Sequence, residues 1–107
     1  MSENNTPEID IEEFHSSRDG GVVVDVRERS EYAAGHVPGA LLMPMSQLSN
    51  RMSELDKSAP VFVICATGGR SSAMTDFLRA SGFDAASVAG GTNAWIQSGR
   101  PVEGGLA

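Results

Sequence analysis

Two short apolar runs, Val22-Val23-Val24-Asp25-Val26 and Val61-Phe62-Val63-Ile64, constrain this chain more than any other feature. Neither alternates apolar with polar residues. A strand with one face in water alternates, so unbroken runs of this length, mostly β-branched, belong to strands covered on both faces, as in a parallel sheet packed between helices. The segments around them carry helical signals. Asp10 followed three residues later by Glu13 has the form of a capping box, and with Ile11 and Phe14 as its apolar face a short helix is predicted to about Ser17, ended by Asp19-Gly20-Gly21.

Beyond the first run, Ser30 to Ala34 suits one or two helical turns, and Gly35-His36-Val37-Pro38-Gly39 reads as a loop punctuated by glycine and proline. Ala40 to Met43 is a further short apolar run, broken by Pro44. Met45, Leu48, Met52 and Leu55 then recur at helical spacing. After the second run, Cys65 to Arg70 is too rich in glycine for a strand, whereas Ser71 to Ser81 predicts a helix with Ala73, Met74, Phe77 and Leu78 on its inner face and Gly82 as its stop. Ala85 to Val88 reads as a last strand, Gly90-Gly91 as a turn, and Asn93 to Ser98 as a short helix. Strands alternating with helices imply an α/β architecture: a mostly parallel central sheet of about five short strands with helices on both faces. The expected organisation is a flexible N-terminus over 1–8, one domain over 9–101 and a flexible tail over 102–107.

The length of 107 residues permits such a domain to bury about two thirds of its unfolded surface, without a disulfide or metal staple. With 8 Lys and Arg against 14 Asp and Glu, the formal charge is −6, and the pI near 4.7 argues against nucleic-acid or anionic-membrane partners, which require a basic face. The start of the chain has no apolar run of the secretory kind, and no segment is long enough to span a bilayer, so a cytoplasmic location is expected. Cys65 is the single cysteine, and with His15 and His36 it matches no metal-ligand spacing.

A single cysteine is commonly a small buried hydrophobe. The placement of Cys65 argues otherwise, because it stands where a predicted parallel strand ends and a loop turns into a helix, the position at which open α/β sheets bind ligands. Gly68 and Gly69 let successive backbone N–H groups point at one spot. The positive end of the following helix and the guanidinium of Arg70 add to that field, and such surroundings favour a thiolate at neutral pH without a general base. By contrast, Asp25 at the end of a buried strand is expected to satisfy loop N–H groups, and Arg27 with Glu31 to form an ion pair that fixes loop geometry. His36 is expected to bond backbone, His15 to face solvent, and Trp95 to pack its helix on the sheet with its indole N–H on a local acceptor.

Taken in order, Asp25-Val26-Arg27, Glu31, Gly35-His36-Val37-Pro38-Gly39-Ala40, the loop from Cys65 to Arg70, and Gly90-Gly91 followed by Trp95 make the sequence resemble a single-domain rhodanese from Ile9 to about Pro101. The resemblance implies the rhodanese-like fold and a thiosulfate sulfurtransferase in which Cys65 carries a sulfane sulfur as a persulfide. Thiosulfate would load Cys65, and cyanide or a thiol would unload it, a protein sulfur carrier being a further candidate partner. Backbone donors from Ala66, Thr67, Gly68, Gly69 and Arg70 would hold the sulfur anion, Thr67 adding its hydroxyl, and neither metal nor organic cofactor is required.

Two rival readings stand beside this one. Dual-specificity phosphatases of the same fold also use a cysteine in an arginine-ended loop, but with five intervening residues, where Cys65 and Arg70 are separated by four. Non-catalytic relatives that serve as binding modules typically lack the cysteine. As for the donor, Arg70 favours thiosulfate, yet Ala66 stands where thiosulfate-preferring relatives often carry a basic residue, which leaves glutathione persulfide or a protein-bound persulfide as the alternative.

Overall fold

The computed structural model describes residues 6–106. Five strands form one sheet: β1 (Glu8–Ile9), β2 (Val22–Asp25), β3 (Leu41–Leu42), β4 (Val61–Ile64) and β5 (Ala85–Val88). Their order is β1-β5-β4-β2-β3, and every neighbouring pair is parallel. The two unbroken apolar runs are adjacent inner strands, with Val22 opposite Val61 and Asp25 opposite Ile64. Five α-helices connect or flank the strands: α1 (Ile11–Ser17), α2 (Arg29–Ala34), α3 (Met45–Arg51), α4 (Gly69–Ala80) and α5 (Gly91–Gln97).

Successive strand side chains point to opposite faces, which divides the apolar residues of β4 between two cores. Val61 and Val63, with Cys65 just beyond the strand, join Leu48 of α3 and Leu78 of α4. Phe62 and Ile64 join Phe14 of α1 and Trp95 of α5 on the other face. There Phe14 meets Phe62 and Trp95 edge-on, with ring centroids 5.8 and 5.5 Å apart. Each large apolar side chain fully buried in this way contributes about 1.5–3 kcal/mol, and both faces of the inner strands are sealed. The register of β2 and β4 is therefore fixed from both sides, and with it the position of the chain segment that leaves β4 at Cys65.

The helix starts follow local chemistry. Asp10 accepts the Glu13 N–H at 2.9 Å to begin α1. At α2 a full reciprocal capping box forms, with Glu28 accepting from the backbone of Glu31 while Glu31 accepts the Glu28 N–H at 2.9 Å.

One expectation is corrected, and both ends of the domain add backbone pairings to those expected. The buried face of α4 is Ser71, Thr75 and Leu78, with Met74 partly buried, whereas Phe77 and Ala73 are exposed. The inner stripe carries two hydroxyls, and their polarity disguised it. In the expected flexible N-terminus, the Pro7 carbonyl accepts the Ser87 N–H at 2.9 Å and Glu8 pairs with Ser87; residues 1–5 lie outside the described residues. In the expected flexible tail, Glu103 exchanges two backbone hydrogen bonds with His36, at 2.8 and 2.9 Å, and the Gly105 N–H reaches the Ala33 carbonyl at 2.8 Å. The loop after α2 leaves backbone donors and acceptors open, and the returning chain takes them; Ala107 lies outside the described residues.

Candidate active site

The segment following β4 turns sharply. Cys65 lies just past the strand, and Gly68, at φ +122°, leads directly into α4. That conformation, rarely open to a residue with a Cβ, brings the backbone around the sulfur. The N–H groups of Gly68 and Ser71 donate to Cys65 Sγ at 3.1 and 3.3 Å, and the Thr67 N–H also faces it. In the thiol form, Sγ–H donates to Ser71 Oγ at 3.5 Å. The hydroxyl of Ser71 is itself placed by the Gly68 carbonyl at 3.1 Å and by the Ser87 hydroxyl of β5 at 2.7 Å.

Cys65 is only 1% exposed. Burial pushes its thiol pKa up, but the Ser71 hydroxyl and the N–H groups of Ser71, Gly68 and Thr67 outweigh burial, and the thiol is held below its ordinary range. The arrangement stabilises an anion on sulfur without an adjacent histidine.

The start of the loop is clamped from α5. The N–H groups of Thr92 and Asn93 donate to the carbonyls of Cys65 and Ala66 at 2.8 and 3.1 Å. Such close approach requires Gly91: a Cβ there would stand 2.4 Å from the Cys65 carbonyl oxygen and 2.6 Å from that of Ala66. The adjoining Gly90-Gly91 turn has positive φ at both residues.

The ion pairs differ from those expected. Arg27 turns to Asp25: its Nη2 meets Asp25 Oδ2 at 2.8 Å and the Gly35 carbonyl at 2.9 Å, and both side chains are buried. Asp25 also accepts the Arg27 backbone N–H at 3.0 Å. Glu31 instead takes Arg70, whose two terminal nitrogens donate to its two carboxylate oxygens at 2.8 and 2.9 Å. Arg27 follows Asp25 too closely to leave its buried carboxylate uncompensated, and its guanidinium is thereby committed. The Arg70 guanidinium beside Glu31 lowers that carboxyl to about 2, and Glu31 in turn raises Arg70.

Of the loop residues singled out from sequence, Ala66 and Gly68 are half-buried, while Thr67 and Gly69 are exposed. Thr67 contributes its backbone N–H rather than its hydroxyl. Ser71 and Ser87 were missed. The available signal was position, since Ser71 lies one and two turns before Thr75 and Leu78 on the helix face that meets the sheet. Among the described residues, no group of three His, Cys, Asp or Glu side chains is placed to hold a metal ion. Two surface depressions, of about 330 and 380 Å³, lie near the N-terminal ends of β2 and β5, at the opposite end of the sheet from Cys65.

A family model of the rhodanese-like domain matches residues 10–98. The chain belongs to the rhodanese-like family. A rhodanese-related protein of Thermoplasma volcanium is 32% identical, with a TM-score of 0.87 over 91% of this chain and 97% of that one. A rhodanese-like domain protein of Staphylococcus aureus is 30% identical, with a TM-score of 0.84 over 94% of this chain and all of the other. A thiosulfate sulfurtransferase of Pseudomonas aeruginosa is 31% identical, with a TM-score of 0.86 over 95% of this chain but only 21% of that chain. YrkF of Bacillus subtilis, named as a candidate sulfur carrier protein, is 32% identical over 80 residues; these span 72% of this chain and 43% of YrkF, so the chain covers under half of that relative. No helix among the described residues is long and apolar enough to cross a membrane.

Proposed function

We propose that this rhodanese-like chain is a sulfurtransferase that moves a sulfane sulfur from a donor to a thiophilic acceptor through a persulfide on Cys65. The observation that carries the reading is the convergence of the Gly68 and Ser71 N–H groups on Cys65 Sγ, at 3.1 and 3.3 Å. Preorganised donors of this kind favour the thiolate nucleophile, and they remain in place for the persulfide anion that follows.

Thiosulfate is the reference donor. In the first half-reaction the Cys65 thiolate attacks its outer sulfur; a new sulfur–sulfur bond forms as the bond to the sulfonate breaks, and sulfite leaves with the electron pair. Three negative charges enter the step and three leave it. In the second half-reaction cyanide attacks the outer sulfur of the persulfide, giving thiocyanate and regenerating the Cys65 thiolate, or a thiol does so and becomes a persulfide. Each half-reaction is a covalent exchange in a ping-pong sequence. A reducing compartment such as the cytoplasm suits this cycle, because it keeps a lone thiol free between turnovers. The Pseudomonas thiosulfate sulfurtransferase and the sulfur-carrier naming of YrkF lend the reading support from relatives.

Intact mass tests it. Incubation with thiosulfate should add one sulfur to the chain, cyanide should remove it, and Cys65→Ser should show no gain. If neither thiosulfate nor a thiol persulfide loads fully reduced protein, the sulfurtransferase reading fails, and a non-catalytic binding role takes its place.

A further inference from the structure

We propose that Glu31 is a specificity-determining residue: by holding both terminal nitrogens of Arg70, it disfavours dianionic donors such as thiosulfate relative to thiol persulfides, whose reacting end carries at most one charge. The inference rests on the sulfurtransferase reading of Cys65 and names the donor class for that site.

The guanidinium at the end of the loop is the feature that would draw an anionic donor, and here it is occupied. Nη1 and Nη2 of Arg70 donate to Oε1 and Oε2 of Glu31 at 2.8 and 2.9 Å. The fork-to-fork geometry takes one N–H from each terminal nitrogen and sets a carboxylate charge against the guanidinium, so a sulfonate arriving at the remaining N–H groups meets a neutralised cation. Glu31 is also held from its own side, because Oε1 accepts the Glu28 N–H at 2.9 Å within the capping box that starts α2. The carboxylate is therefore held by the helix start as well as by Arg70.

Neither Arg27 nor the residue after the nucleophile takes the place of Arg70 at the loop. Arg27 is 5% exposed and spent on Asp25 and the Gly35 carbonyl. Ala66, directly after the nucleophile, has no donor on its side chain. A dianion approaching Cys65 thus meets a compensated ion pair on a chain of net charge −6, and repulsion grows with the charge of the approaching group.

A thiol persulfide avoids most of that repulsion. The Cys65 thiolate attacks the outer sulfur of RSSH, the new bond gives a Cys65 hydropersulfide, and RS⁻ leaves with the electron pair. One negative charge stands on each side of the step, and no external oxidant or reductant is needed. The leaving group is a single-charge thiolate rather than a sulfite dianion, so transfer does not depend on a free guanidinium.

The test compares loading of Cys65 by thiosulfate and by cysteine persulfide, in the wild type and in Glu31→Gln. Glutamine can keep the capping-box acceptor while removing the charge. The substitution should raise the second-order rate of loading by thiosulfate about three- to fivefold, the upper part of the range of a partly exposed charge interaction, with less than a twofold change for cysteine persulfide. An equal effect on both donors overturns the proposal and leaves the sulfurtransferase reading intact; no loading by either donor in wild-type protein overturns both. A second measurement needs no variant. In the wild type, added salt screens repulsion, so thiosulfate loading should rise with ionic strength while cysteine persulfide loading stays nearly flat. A fall in thiosulfate loading with salt would show net attraction and overturn the assignment of Glu31.

Discussion

The Ser71 hydroxyl lies 3.5 Å from Cys65 Sγ and 2.7 Å from the hydroxyl of Ser87, so the sulfur at the end of β4 connects to the interior of β5 through one side chain of α4. When Cys65 ionises, the Ser71 O–H can turn to donate to Sγ, and the Ser87 O–H is in place to donate to Ser71. Removing the Ser71 hydroxyl takes away one stabilising contact of the thiolate and leaves the N–H donors in place. Ser71→Ala is therefore expected to raise the Cys65 pKa and slow alkylation by iodoacetamide at neutral pH about tenfold, from the worth of a hydrogen bond to a charged group. The pH profile of alkylation checks it. A midpoint unmoved from the wild type would assign the thiolate to the backbone donors alone.

Asp25 and Arg27 act on stability before chemistry. Asp25 is fully buried, and its compensation is the Arg27 guanidinium together with the Arg27 N–H. Arg27→Ala leaves an unpaired carboxylate among β2, β3 and β4 and frees the Gly35 carbonyl. Loss of one partner of a buried pair costs about 3–5 kcal/mol, and the urea midpoint of unfolding should fall accordingly. Lost sulfur transfer with an unchanged melting temperature would instead give Arg27 a part in the chemistry.

The pair between Glu31 and Arg70 carries a definite pH dependence. The folded state lowers the Glu31 pKa from 4.5 to about 2, chiefly through the Arg70 hydrogen bonds. A carboxyl depressed on folding stabilises the fold above its unfolded pKa, and that contribution is lost as pH falls toward the folded value. Both side chains are about one-third exposed, so solvent screening limits the contribution to about 1 kcal/mol. The stability gap between wild type and Glu31→Gln should therefore be full at pH 7, shrink below about pH 5, and be nearly closed by pH 2. Urea titrations across that interval measure it. A gap that stays constant would mean that the charge of Glu31 does not stabilise the fold.

What could be read from sequence followed from burial and punctuation. Val22–Asp25 and Val61–Ile64 announced inner parallel strands because both faces are covered, and Cys65, Gly68 and Arg70 announced the loop because glycine and charge break an apolar run. The partners of those residues were less visible. Arg27 lies four positions before Glu31, which suggested a local pair, while the actual partner of Glu31 is 39 residues away and is set by how α2 and α4 meet around the sheet. Ser71 and Thr75 look like a solvated helix face until the sheet is in place. The two-residue strand Glu8–Ile9 and the Glu103 bridge to His36 have no local periodicity; the backbone they pair with is remote in sequence, so only the assembled fold specifies them.

Gly91 is the position where the fold and the proposed chemistry are hardest to separate. It adopts φ +59°, and the carbonyls of Cys65 and Ala66 occupy the space where a Cβ would stand, at 2.4 and 2.6 Å. Both obstacles are backbone, so neither can give way by rotating a side chain. Gly91→Ala must shift either α5 or the loop, and the hydrogen bonds from Thr92 and Asn93 that clamp the two carbonyls lengthen with it. Expected outcomes are a loss of about 2 kcal/mol or more of stability from backbone strain and overlap, and at least a hundredfold fall in Cys65 loading, because displacement of about 1 Å in a positioned site has effects of that size. Gly20→Ala is the matched control, since nothing lies within 4 Å of a Cβ at that position and its φ is not in the left-handed range. Loading kinetics and melting of both variants decide the matter: wild-type loading in Gly91→Ala would mean that the α5 clamp does not position the loop.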